Sequence, residues 1–249
     1  MYQSFEKPLF DTSVFYYDVN FYRDTAEKVV EVFERNEFLP CGIVCLEKYT
    51  NKKFIKYKPE HKKMFVDAYE DYEVVSIILE TKDSRKTTNY CCVDFTMNKP
   101  DRELIRRLNE INPNRKQNVR WNVLSFYSTY EWISDKENYA KLINTLYELI
   151  PILLPFCIEI DDLSHALKIR HIANEPTFKA DHIQQVYWGN YWGGHLMKQV
   201  NLEELRKLPV SQLKETENGV FFTLSDSIFD FNSKQCNSLR KKVWQKVIK

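Results

Sequence analysis

The chain predicts an α+β fold, a largely antiparallel sheet with helices packed on it, on three observations. Stretches of period-two alternation and stretches of helical spacing follow one another without the strict strand–helix rotation of a parallel, doubly wound sheet. Two strand-like stretches, Val74 to Leu79 and Cys91 to Met97, flank a polar turn, Lys82 to Asn89, as the arms of a hairpin do. Hydrophobic residues make up 43% and aromatics 14% of 249 residues, enough for a sizeable buried core. No internal repeat or Gly/Ser linker divides the chain. It therefore reads as one domain, 1–249, with room for lobes 1–150 and 151–249 sharing one core, since the texture changes after residue 150.

In chain order, Val14 to Tyr22 alternates, with Phe15, Tyr17, Val19 and Phe21 on one face, the period of a half-buried strand. Asp24 with Glu27 is a capping-box variant, and Ala26, Val29, Val30 and Phe33 recur at helical spacing until Pro40. Short strands are predicted at Cys41 to Glu47 and Lys53 to Tyr57. Val74 to Leu79 is almost continuous in Val and Ile, as in a strand covered on both faces. Cys91, Val93, Phe95 and Met97 alternate with Tyr90, Cys92, Asp94 and Thr96, a strand with one polar face.

Pro100 and Asp101 open a helix carrying Leu104, Ile105 and Leu108 and ending before Pro113. Val119 to Tyr127 is a further strand. Tyr139, Leu142, Ile143, Leu146 and Ile150 line a helix from Asp135 to Ile150 that Pro151 closes. Phe156 to Ile160 and Leu167 to Ile172 read as short strands, and Asn174 to Asp181 as loop. Asn201 with Glu204 opens a helix over Leu202 to Leu208, Asn218–Gly219 is a turn before the strand Val220 to Leu224, and Ser233 caps a final helix repeating Cys236, Leu239, Val243 and Val247.

Charge and composition exclude several functions. Lys plus Arg number 36 against 35 Asp plus Glu, so there is no basic surplus for general nucleic-acid or anionic-lipid binding. Only five glycines occur, and neither dinucleotide nor P-loop spacing is present, so no cofactor is implied. Met1 to Phe10 has no apolar run of the secretory kind, and Leu149 to Ile158 is broken by Pro151 and Pro155, short of the ~20 residues of a membrane span. A cytosolic chain follows, with its six cysteines as reduced thiols. Cys41 and Cys45 lack the second ligand pair of a zinc site and read as small buried hydrophobes.

Three constellations bear on chemistry. Asp94 with Lys99 lacks the acid-x-Lys on a paired strand that a Mg²⁺ nuclease needs. Glu159, Asp161 and Asp162, followed by His165 and His171, carry oxygen and nitrogen ligands for a hard metal ion, which makes a metal-dependent nuclease or hydrolase the alternative reading. The same acids, with Glu70, Asp71 and Glu73, could instead form electronegative patches for a basic partner. There is no Gly-x-Ser-x-Gly, and Cys91 and Cys92 sit mid-strand, where a nucleophile is poorly exposed, so no catalytic residue is assigned.

The segment Gln185 to Met197 holds three of the five glycines and two of the five tryptophans. Its rings could stack bases in a single-stranded groove, but the nearest cations are Lys179 and Lys198. The reading preferred is a tight structural turn over Trp188, Gly189, Asn190, Tyr191, Trp192, Gly193 and Gly194, with rings covering the core beneath and His195 as a polar anchor.

From this segment onward the chain resembles a known family. The Trp-Gly-x-Tyr turn at Trp188 to Tyr191 is followed by a Gly-Gly step, a leucine-rich short helix, a Gly-led strand at Gly219 to Leu224, a Ser-Asp-x-x-Phe-Asp-Phe-Asn stretch at Ser225 to Asn232, and a basic terminal helix. This order, over residues 185–248, is similar to that of immunity proteins of bacterial polymorphic-toxin and type VI secretion systems. The resemblance implies a cytoplasmic, non-catalytic protein that binds one cognate toxin domain and occludes it, protecting producer and kin in competition between bacteria. On that implication the contacts to a basic toxin would be Glu70, Asp71, Glu73, Glu159, Asp161 and Asp162, with no metal, cofactor, nucleic acid or membrane involved.

Overall fold

A computed structural model describes residues 9–17, 23–37, 43–48, 52–56, 62–63, 66–67, 74–80, 91–96, 121–166 and 181–249. Its framework is a ten-stranded sheet in which each pair of neighbours runs antiparallel. The strands are β1 (Leu9–Tyr17), β2 (Ile43–Lys48), β3 (Lys52–Lys56), β4 (Val74–Glu80), β5 (Cys91–Thr96), β6 (Trp121–Thr129), β7 (Cys157–Asp162), β8 (Gly189–Gly193), β9 (Ser211–Thr216) and β10 (Gly219–Thr223), in the order β3-β2-β4-β5-β6-β1-β7-β8-β10-β9. The helices named among the described residues are α1 (Arg23–Arg35), α2 (Tyr130–Ser134), α3 (Lys136–Leu153), α4 (Leu202–Arg206) and α5 (Lys234–Lys246), with 3-10 turns at Gly194–Gln199 and Ile228–Asp230. The fold is α+β on an antiparallel sheet, and hydrogen bonding continues across residue 150, because β1 lies between β6 and β7.

Alternation along the strands gives the central sheet two unlike faces. On one, Val14, Val93, Leu124, Phe126, Ile158, Tyr191 and Phe221 are fully buried. Helices α1 and α3 cover this apolar face: the Phe33 ring lies 6.0 Å from Phe126, and Tyr147 lies 5.2 Å from Phe221. The stripe Ala26, Val29, Val30 and Phe33 of α1 is buried throughout, as its spacing requires. The other face carries polar groups in register: Ser125 on β6, Ser13 on β1, Glu159 on β7 and Asn190 on β8 form one cross-strand row.

Several elements differ from their sequence reading. Strand β1 begins at Leu9 rather than Val14. Residues 18–22 lie outside the described residues, as do the helix expected after Pro100, the strand expected at 167–172 and all but the last residue of the loop expected at 174–181. The helix expected at 135–150 is α3, and Asp135 accepts from the backbone N–H of Glu137 and Asn138 as its cap; the short α2 that precedes it, over 130–134, was not read from the sequence. Pro151 lies inside the last turn of α3 instead of ending it, and the helix stops at Leu154, whose φ of 47° is left-handed. A proline there removes one hydrogen bond near a helix end whose carbonyls are already short of partners.

The largest correction concerns Trp188 to Gly194. It is not a turn: Gly189–Gly193 is β8, an interior strand buried along its whole length. Glycine is required there by close approach, not by backbone angle. A Cβ on Gly193 would sit 2.6 Å from both Pro155 O and Tyr191 Cε1, and Gly219, its partner across the ladder, faces the same tyrosine ring. Tyr191 thus lies over a Gly–Gly cross-strand pair that only hydrogens can line. Gly193→Ala is expected to destabilise the fold by about 1–3 kcal/mol in chemical denaturation, the range for overpacking.

Candidate functional site

Of the polar residues that the sequence marks out, Asp161, Asp162 and His165 meet where the end of β7 approaches the C-terminal region, with Glu159 two residues back on the same strand. Glu159, Asp161 and Asp162 are buried in β7, which corrects the expectation that they form an exposed acidic patch. Carboxylates in such a place must be fully hydrogen-bonded or paired, because burial of a bare charge is costly.

Asp161 meets that requirement with four partners. Its Oδ1 accepts from the Asp162 backbone N–H at 2.8 Å and shares a 3.0 Å hydrogen bond with His165 Nδ1. Its Oδ2 accepts from the Trp188 N–H at 3.1 Å and lies 3.6 Å from Arg240 Nη2. Arg240 projects from α5 and donates to Val186 O at 2.8 Å, Asn237 Oδ1 at 2.6 Å and Phe231 O at 3.0 Å. Burial pulls its guanidinium below the ordinary arginine value while the Asp161 charge opposes that shift. One carboxylate therefore ties β7, the approach to β8 and α5 together.

Asp162 turns the chain. Its Oδ1 accepts from the His165 N–H at 2.9 Å and from the Ser164 hydroxyl, capping the turn that follows β7. Its Oδ2 accepts from the Tyr130 hydroxyl at 2.7 Å, and burial together with this acidic neighbour raises the Tyr130 hydroxyl well above the usual tyrosine range. Glu159 Oε1 is 3.9 Å from the Cys157 thiol. Beside it on the polar face, the Ser13 hydroxyl donates to Asp11 at 3.0 Å and lies 3.2 Å from Ser125 Oγ.

The aromatic–glycine segment is built into the same unit. Asn190 accepts from Tyr187 N at 2.9 Å through Oδ1 and donates to Tyr187 O at 3.0 Å through Nδ2, so its amide closes the loop entering β8. Trp188 is fully buried; its indole N–H donates to Ser225 Oγ at 2.8 Å, and its carbonyl accepts from Leu224 N at 2.8 Å. Trp192 packs edge-on against Phe222 at 5.0 Å. Gly194 has a φ of +53° and starts the 3-10 turn. His195 lies with its ring 5.7 Å from Phe156. The Trp-Gly stretch and the Ser-Asp stretch, separate in sequence, are thus directly bonded through Trp188 and Ser225.

Glu70, Asp71, Glu73 and His171 lie outside the described residues. Among the described residues, no group of three or more His, Cys, Asp or Glu is placed to hold a metal ion, and no helix is long and apolar enough to cross a membrane. Cys91, Cys92, Cys157 and Cys236 are unbridged, and burial pushes the Cys91 thiol far above its ordinary range, the reverse of what a nucleophile needs.

Sequence reasoning missed Arg240 and Tyr130. Both are single polar residues on amphipathic helices, and neither stands in a motif. What could have singled out Arg240 is its place among the buried positions of α5, between Leu239 and Val243, where a lone cation needs a buried acid.

No protein-family model matches the chain, and no curated protein matches it in sequence. Among solved structures, it is similar to the Pseudomonas aeruginosa T6SS protein PA0821, with a TM-score of 0.61 and 12% identity, over 94% of this chain and 73% of that one. At that identity the likeness is one of fold.

Proposed function

We propose that this chain is an immunity protein of a type VI secretion system: it binds a cognate toxin domain in the cytoplasm of the producing cell and occludes it, without catalysis. The observation that carries the reading is the likeness in fold, over nearly the whole chain, to a T6SS protein. It joins the immunity-type order of motifs in residues 185–248. The internal chemistry is consistent with this. The carboxylates and rings that could have served a reaction are used to hold β7, β8 and α5 together, which makes a rigid body suited to pre-organised binding.

In this account the protein covers its partner's cleft with an interface of standard size, about 800 Å² on each side. Glu70, Asp71 and Glu73 are acidic contacts for a basic toxin, steering its approach. The test is co-expression with the product of the adjacent gene. Restored growth, together with a complex that survives size-exclusion chromatography, is the expected result; unchanged toxicity contradicts it.

A further inference from the structure

We propose that Phe229 is the anchor through which the chain docks its partner, and that the partner surface it meets is basic. This rests on the immunity reading above and names the face that would carry it.

Phe229 is 43% exposed although it lies on the aromatic bed of Phe10 and Tyr130, each ring 5.7 Å away. Edge-to-face contact with both rings seats one side of Phe229 while the rest of it stays open to solvent. The Ser225 hydroxyl receives the Trp188 indole N–H and donates to Ser227 O at 2.9 Å; Ser227 Oγ accepts from Phe229 N at 3.3 Å; Arg240 Nη2 holds Phe231 O from beneath. The network around Asp161 and Trp188 is therefore bonded to a loop that carries an exposed aromatic ring. A rigid, exposed aromatic is what binding hot spots are made of, because little ordering entropy is lost on contact.

The surroundings specify the partner. Asp226 and Asp230 flank the ring in sequence and are exposed, and exposed Glu131 follows Tyr130. The two segments concerned, 131–137 and 225–234, carry Glu131, Asp135, Glu137, Asp226 and Asp230 against Lys136 and Lys234. An exposed ring with exposed carboxylates three residues before it and one after it in sequence suits an arginine or lysine side chain, which can stack on the ring and pair with the acids. The occupant is accordingly a protein surface with a cationic side chain at its centre, the toxin domain of the preceding section.

The experiment titrates the purified product of the adjacent gene into the intact chain and three variants. Phe229→Ala should weaken binding by at least about 30-fold, mostly through faster dissociation. Asp226→Lys combined with Asp230→Lys should slow association by about tenfold or more and flatten its salt dependence. Trp244→Ala alters a ring 44% exposed near the other end of α5, about 15 Å along the helix from Lys234, and should leave binding unchanged. Wild-type binding that both loop variants retain overturns this surface alone. If the wild-type chain does not bind, the immunity reading falls and this assignment with it.

Discussion

Replacing Asp161 by alanine will lower the stability of the chain by about 3 kcal/mol, a large part of the 5–15 kcal/mol that a folded domain has in total. The substitution leaves the buried Arg240 guanidinium without its counter-charge and strips the Trp188 N–H of its acceptor. The estimate sits at the low end for a broken buried pair, because the guanidinium keeps its bonds to two carbonyls and to Asn237. Urea denaturation measures it. A cycle with Arg240→Leu separates charge from packing, since the double variant should lose less than the sum of the singles. A loss below about 0.5 kcal/mol would show that the network does not bind α5 to the sheet.

Trp188→Ala is expected to cost about 3–5 kcal/mol, the range for removing a large aromatic from a close-packed core. The ring is fully buried and edge-on to Tyr139 at 6.5 Å, so a cavity opens between β8 and α3. Its indole N–H also holds Ser225, so the effect reaches the loop that carries Phe229. Trp188→Phe refills most of the volume but not that bond. It should recover most of the stability while leaving amide exchange faster across 225–231. Equal loss in both variants would mean that the hydrogen bond, not the ring, dominates.

Much of the architecture was legible because local physical chemistry decided it. Asn201 and Ser233 cap α4 and α5 as their side chains predict, and the near-continuous Val and Ile of β4 pair with β5 in register. Where the reading failed, the deciding contact was distant in sequence. Glycines at 189 and 193 signal a turn unless one knows that Ile160 and Tyr191 occupy the space above them. Strand β9 went unread because it is an edge strand with four consecutive exposed residues, so no alternation marks it. The acids of β7 look like a solvated strand end until Arg240 and the Trp188 N–H are brought to them. The aromatic turn and the Ser-Asp stretch could be read separately, but their meeting at Trp188 and Ser225 could not.

The central claim is inhibition by stoichiometric occlusion. Its most direct measurement is residual toxin activity, assayed with the purified product of the adjacent gene, against increasing molar ratio of this chain. Occlusion predicts a straight decline to zero at one chain per toxin domain, with activity returning when the complex is dissociated. Complete and permanent loss of activity at a small fraction of that ratio would reveal an enzyme acting on the toxin, and would contradict it.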